Sequence, residues 1–232
     1  MARISRKELK SDRFAQDVGL TVTFFEEHQK DVFRYGAIAI AVALLIAGYF
    51  VYSSHQRVGR EEALTQAIQI QESPVAEPGD PAHGFPSQDA KDQAALKAFG
   101  DLAAKYSGTD EGYLGTYYIG AIRADEGKFA ESEKFFLQVA DHANDNYASL
   151  AKLALVDIYY SDGRTDQAEK VLNDLIKHPT VFVSQADATI TLARHLAQKN
   201  PAKARELLGP IRAGRGQAAS LAQELYAELP PG

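Results

Sequence analysis

Hydrophobic residues fall along this chain in two patterns. From Tyr35 to Ser54 (YGAIAIAVALLIAGYFVYSS) twenty residues pass without a charge. At about 1.5 Å rise per residue, a helix of that length covers about 30 Å, the thickness of a bilayer's hydrocarbon core. Arg34 closes the stretch on one side and His55, Arg57 and Arg60 on the other. Phe33, Tyr35, Tyr49, Phe50 and Tyr52 stand at its ends, where amphipathic rings favour the headgroup level. A buried helix of a soluble core carries a polar stripe, and none occurs here before Ser53. A cleaved signal peptide has an apolar region of about 7–15 residues and a small-residue cleavage site. Here 34 residues precede a longer run, and no A-x-A follows it. The stretch therefore predicts a membrane-spanning signal anchor.

From Lys91 to Leu229 the pattern turns to helical periodicity broken by short turns, and it repeats at a constant offset of 36 residues. Gly127, Gly163 and Lys199 occupy the turn, and Ser132, Ala168 and Ala204 hold a small position five residues on. Phe136, Leu172 and Leu208 follow, then Val139, Leu175 and Ile211. Before the turn, Ile119-Gly120 matches Leu155-Val156, and Arg123, Tyr159 and His195 share one position. Two antiparallel helices per unit account for this spacing. Glycine reverses the chain with positive φ, the small residue brings the second helix close to the first, and the large apolar residues fill the next interface. A lone hairpin leaves one face uncovered, so the units stack into a solenoid. Ala95, Phe99 and Leu102 fit the second-helix pattern at an offset of 37 and mark an incomplete leading unit. In the last unit Asn200-Pro201 replaces the glycine turn as cap and first helical position. Gln217 to Leu229 then caps the open end.

The intervening stretches complete the layout. Residues 1–34 form a leader in which Ser5-Arg6-Lys7-Glu8 has the capping-box form. Its Phe14, Val18, Val22, Phe25, Val32 and Phe33 recur at roughly helical spacing, so it reads either as a partly amphipathic helix or as a solvated tail. Residues 55–72 extend the membrane helix, with Ala63, Ala67 and Ile70 on one face. Residues 73–90 carry SPVAEPGDPAHGFPSQ and form a Pro/Gly-rich loop. Residues 91–232 make the repeat domain.

The stretches IGAIRADEGKFAESEKFFLQV and LVDIYYSDGRTDQAEKVLNDL resemble tetratricopeptide repeats, with turn glycine, small residue and large apolar pair in order. The resemblance covers residues 91–212, in units two residues longer than the usual 34. Ser132 stands where alanine is usual, Arg123 where tyrosine is usual and Lys199 where glycine is usual. The implied fold class is all-α, a single N-terminal transmembrane helix followed by a tetratricopeptide-like α-solenoid. Leader, anchor, polar exit (Ser54, His55, Gln56), helix and degenerate repeats, in that order, are similar to the family of bacterial ancillary subunits of the SecYEG translocon. Relatives in that domain family are implicated in cell-division coordination. The resemblance implies a periplasm-facing repeat domain that contacts secreted chains or their chaperones.

Charge adds an orientation. The leader holds seven Lys/Arg, against only Arg57 and Arg60 in the twenty residues after the span, although only Lys30 and Arg34 lie close to the span on the leader side. By the positive-inside rule the N-terminus stays in the cytoplasm and the bulk crosses, which in a bacterium puts the chain in the inner membrane. Residues 35–232 hold 18 basic and 25 acidic residues, a net of −7 that with the leader's +1 gives the total of −6. An acidic domain argues against nucleic acid as partner. With no cysteine, disulfides, thiolate zinc sites and thiol nucleophiles are excluded.

The remaining chemistry is sparse. His28, His55, His83, His142, His178 and His195 are scattered without metal spacing, and His195 occupies a repeat-interface position suited to a packed, hydrogen-bonded imidazole. Ser149-Leu150-Ala151-Lys152 spells S-x-x-K without its partner motifs. Gly112, Gly115 and Gly120 follow no strand and make no dinucleotide loop. No catalytic residue, metal site, cofactor or small-molecule substrate is expected.

What remains is a binding surface. In tetratricopeptide solenoids the first helices line the concave face. Counting from Gly120 and Val156, the groove-side candidates are Leu114, Tyr117, Asp125, Leu153, Asp157 and Tyr160. Tyrosine suits loosely specific peptide contact, although both tyrosines equally fit packing between helices. The expected function is an adaptor anchored in the inner membrane that binds polypeptides or chaperones at the periplasmic face, in protein translocation or envelope protein biogenesis. The alternative is a structural scaffold of an envelope or cell-division complex acting through self-association of the repeats.

Overall fold

The computed structural model describes residues 29–76 and 84–230. Residues 1–28, with the Ser5-Arg6-Lys7-Glu8 box and most of the leader, lie outside the described residues, as do 77–83 of the Pro/Gly-rich loop. Two units divide the chain, Met1–Val58 and Gly59–Gly232.

The described residues are all-α and open with a long helix, α1 (Gln29–Glu72), whose apolar window has a mean hydropathy of 2.1 and no buried residue. By length and composition it is the one helix among the described residues able to cross a membrane. The helix does not break at Ser54, since neither glycine nor proline interrupts the backbone ladder between Val51 and Val58. Beyond the span its last turns change character. Ala67 is fully buried in a cluster with Ala95, Phe99, Leu102 and Ile122, and Ala63, Leu64, Ile68 and Ile70 pack around it. The end of α1 thus serves as the first helix of the leading unit.

Eight further helices follow among the described residues: α2 (Gln88–Lys105), α3 (Asp110–Asp125), α4 (Phe129–His142), α5 (Asp145–Ser161), α6 (Thr165–Lys177), α7 (Gln185–Leu196), α8 (Pro201–Arg212) and α9 (Gln217–Glu228). Each packs chiefly on its chain neighbours, with α3 also touching α5 and α7 touching α9, which is the connectivity of a solenoid. The first helices α3, α5 and α7 carry side-chain caps from Thr109, Asn144 and a full Ser184–Asp187 capping box, and Ser87 caps α2 where the chain leaves the loop. The second helices α4 and α6 have none, because a glycine turn delivers them directly.

Those turns behave as the spacing predicts. Gly127 and Gly163 adopt φ of +73° and +74°, a conformation that costs an L side chain about 1–2 kcal/mol. Open space surrounds both, so backbone conformation alone demands glycine there. The third unit closes differently. Asn200 donates its backbone N–H to Leu196 O at 2.7 Å and caps α8 through Lys203 N, with Pro201 at the first helical position. Lys199 therefore needs no left-handed backbone, and the unit is complete despite lacking the glycine.

The small positions Ser132, Ala168 and Ala204 are all fully buried, as are Phe136, Leu172 and Leu208. Ser132 keeps the close approach of an alanine by donating its hydroxyl to Gly120 O at 2.7 Å, across the α3–α4 interface. Ile211, in the last unit, is only half-buried. At the far end, Ala222 of α9 and Leu229 join Ile190, Ala193, Ala204 and Leu208 in a terminal cluster. Arg205 donates to the carbonyl oxygens of Leu229 and Pro230, and Arg212 lies 4.0 Å above the Tyr226 ring.

Candidate functional site

The face built by the first helices α3, α5 and α7 owes its chemistry to where the cations on those helices go. Arg123 on α3 ion-pairs with Glu126 at 2.6 Å and with Glu131 of α4 at 3.4 Å. Lys152 on α5 reaches Asp174 of α6 at 3.1 Å. In the turn that follows α5, Arg164 grips Glu133 of α4 through paired bonds of 2.7 and 2.8 Å, binds Asp162 at 2.7 Å and covers the Tyr159 ring at 4.4 Å. Hydrogen bonding to Glu133 raises the Arg164 guanidinium's affinity for its proton. These three cations are thus committed to carboxylates on or beside second helices, whereas Arg194 of α7 is exposed with no ion pair among the described residues.

The carboxylates of the groove candidates are left without such a partner. Asp157 is 76% exposed, and its single ion-pair partner among the described residues is His195 of α7, with Nε2 to Oδ1 at 3.3 Å. The imidazole lies flat on the Tyr160 ring, centroids 3.6 Å apart and planes 14° from parallel. Tyr160 is half-buried and its hydroxyl has no hydrogen-bond partner among the described residues. Burial, with a smaller contribution from Glu169, pushes this phenol's pKa up to about 12, so it stays protonated. Tyr117 of α3 is half-buried, its ring 5.3 Å from Phe136 and edge-on to Tyr118 at 6.0 Å. Burial raises its pKa, and Tyr118 and then Asp157 oppose its ionisation further, which sets Asp157 within electrostatic reach of Tyr117.

The six candidates therefore divide. Asp157 and Tyr160 meet at His195, and Tyr117 stands within reach of Asp157. Leu114 and Leu153 are half-buried on α3 and α5, with Leu153 packed on the central cluster. Asp125 is exposed at the last position of α3, about 12 Å along the helix from Tyr117. Both tyrosines pack against the central cluster, as the packing alternative expects. His195 is the member that sequence reasoning places only as an interface residue. It does pack, and it also links Tyr160 to Asp157. Its partner lies 38 residues back, one repeat plus two, a relation that aligning the repeats does not display.

Two cavities lie away from this row, of about 460 Å³ among α6, α7 and α8 and about 360 Å³ among α4, α5 and α6. They are repeat equivalents, with Leu137 matched by Asn173, Ala140 by Ile176 and Val171 by Leu207. None of the six groove candidates lines either one. Among the described residues no set of three His, Asp or Glu side chains gathers as a metal site. Ser149, of the S-x-x-K stretch, is buried with its oxygen 2.7 Å from Asn146 O and 2.7 Å from the Thr180 hydroxyl. It acts there as a helix-to-loop tie.

A family model described as a tetratricopeptide repeat-like domain matches residues 23–206. The match starts ahead of the apolar stretch and so takes in that helix as well as the repeats. Comparison with curated proteins and with solved structures found no match.

Proposed function

The chain belongs to the tetratricopeptide repeat-like domain family, and on that premise we propose that it is an adaptor anchored in a bacterial inner membrane. Its solenoid binds polypeptides or chaperones at the periplasmic face, in protein translocation or envelope protein biogenesis. Members of this fold class are protein-interaction modules, and one helix among the described residues is suited to a bilayer. The basic leader supports an N-terminus in the cytoplasm. The observation that carries the reading is the row formed by Tyr117, Asp157, Tyr160 and His195: aromatic surface and an unneutralised carboxylate, held rigidly by interhelix contacts yet open to solvent. Rigid aromatic rings with a few polar groups suit contact with an extended chain, because little side-chain entropy remains to be lost.

A photoreactive amino acid at Asp157, compared in cells with one at exposed Lys134 on α4, tests this. Capture of translocon subunits, chaperones or exported chains from position 157 and not from 134 is the expected result. Equal capture from both sites refutes a groove, and capture of a second copy of this chain alone favours the scaffold alternative. A phosphatase fused after Leu229 is active if the domain lies outside the cytoplasm, and its inactivity reverses the topology.

A further inference from the structure

Building on the groove proposed above and resting on it, we infer that the groove selects basic-hydrophobic segments, seating an arginine or lysine side chain on Asp157 between Tyr117 and Tyr160. The basis is charge complementarity. The first helices own few cations: Arg123 and Lys152 are already paired with Glu126, Glu131 and Asp174, which leaves exposed Arg194 of α7 as the guanidinium on these helices without an ion pair among the described residues. Asp157 keeps its charge outside that network. It is 76% exposed and, among the described residues, pairs only with an imidazole, which leaves its carboxylate free to accept further donors.

Asp125, on the same helix as Tyr117, is also exposed, and no ion pair neutralises it among the described residues. Nor does the surrounding charge oppose a cation, since residues 35–232 carry a net of −7. An anionic segment entering this row meets the Asp157 carboxylate, and Arg123 and Lys152 are not free to offset the repulsion.

The neighbours of Asp157 refine the preference. Tyr160 lies about one turn along α5 from Asp157, Tyr117 of α3 stands within its electrostatic reach, and both phenols stay neutral because burial raises their pKa values. A planar guanidinium can bond the carboxylate while its faces lie against rings, whereas an ammonium makes only the first contact. Arginine therefore ranks above lysine. The half-buried leucines Leu114 and Leu153 supply apolar surface on the same two helices for a large residue beside the cation.

The test uses the full chain in nanodiscs of zwitterionic phosphatidylcholine, which removes anionic lipid as a competitor for basic peptides. Three fluorescein-labelled peptides share a leucine-rich frame and carry arginine, glutamine or glutamate at the same positions. Fluorescence anisotropy gives each affinity. The arginine peptide is expected to bind about tenfold more tightly than the glutamine one, with the glutamate peptide weakest. Asp157→Asn should remove at least about fivefold of the arginine preference and change glutamine-peptide affinity by less than about twofold. Asp141→Asn, an equal charge change at an exposed position of α4, should leave the preference intact.

An arginine preference that survives Asp157→Asn overturns the inference, as does one that falls equally in both variants, since that reports the diffuse acidic surface. Equal binding of all three peptides removes the cation seat and leaves the groove reading standing. If none of them binds, the groove reading itself falls, and the seat with it. Helical circular dichroism confirms the fold of each variant.

Discussion

In the α3–α4 hairpin a glycine faces a phenylalanine where the next unit pairs a valine with a leucine. Gly120 and Phe136 correspond at the repeat offset to Val156 and Leu172, and all four are buried. A Cβ built on Gly120 lies 3.0 and 3.1 Å from two carbons of the Phe136 ring and 3.3 Å from Cβ of Phe135. Gly120→Ala thus adds a clash, for which overpacking costs of about 1–3 kcal/mol are usual. It also gains about 1 kcal/mol of helix propensity by removing a mid-helix glycine. The net expectation is a loss of about 1 kcal/mol. Phe136→Leu alone should cost about 1–2 kcal/mol through lost burial and a residual cavity. Placed on Phe136→Leu, however, the same Gly120→Ala change meets no ring and keeps only the 3.3 Å contact with Phe135 Cβ, so the propensity gain outweighs it and the change stabilises by about 0.5 kcal/mol. The sign of one substitution reverses with its partner, a coupling of about 1.5 kcal/mol. Equilibrium urea denaturation of the four proteins, followed by helical circular dichroism, measures the cycle. If Gly120→Ala has the same sign in both backgrounds, the volume exchange inferred from the repeat alignment is wrong.

Two further outcomes come from the ion pairs. Arg164→Ala should destabilise by about 1 kcal/mol, because the paired bonds to Glu133 are half-buried and the guanidinium also covers Tyr159; a Glu133→Ala cycle by the same denaturation should show coupling, and additive single effects would dismiss the bridge. Lys152, and less strongly His178, hold the Asp174 carboxyl below its ordinary range. That contribution is present above the ordinary carboxylate pKa and lost as pH falls through the depressed one, so Lys152→Met should flatten the decline of stability below about pH 4 by a few tenths of a kcal/mol. Parallel pH–stability curves for the two proteins would dismiss the linkage.

Much of the architecture is legible in the sequence because its causes are local and periodic. A positive φ needs glycine, so Gly127 and Gly163 announce their turns, and the 36-residue offset aligns Ser132, Ala168 and Ala204 as the buried close-contact row. Tyr35–Ser54 is read from length and charge alone. The end of α1 is harder. Its Ala63, Ala67 and Ile70 face is visible, but only packing shows that Ala67 completes the leading unit against Phe99 and Leu102. Least legible are contacts between units. Asp157 meets His195 through the superhelical stagger of neighbouring first helices, which sequence periodicity does not encode, and Ser132's hydroxyl finds Gly120 O only once the α3–α4 approach is set. For the same reason the groove candidates come from register on single helices and not from mutual proximity.

The core is not one body but a succession of three clusters, each held by adjacent helices. Damage in such an array stays where it is inflicted. Loosening Arg205's hold on the carbonyls of Leu229 and Pro230 frays the final unit while Tyr117, seated in the central cluster, remains in place. Sequence change in the closing helix α9 can therefore be tolerated without moving Tyr117, whereas the first helix of the last repeat is tied to the row through His195 on Tyr160 and Asp157.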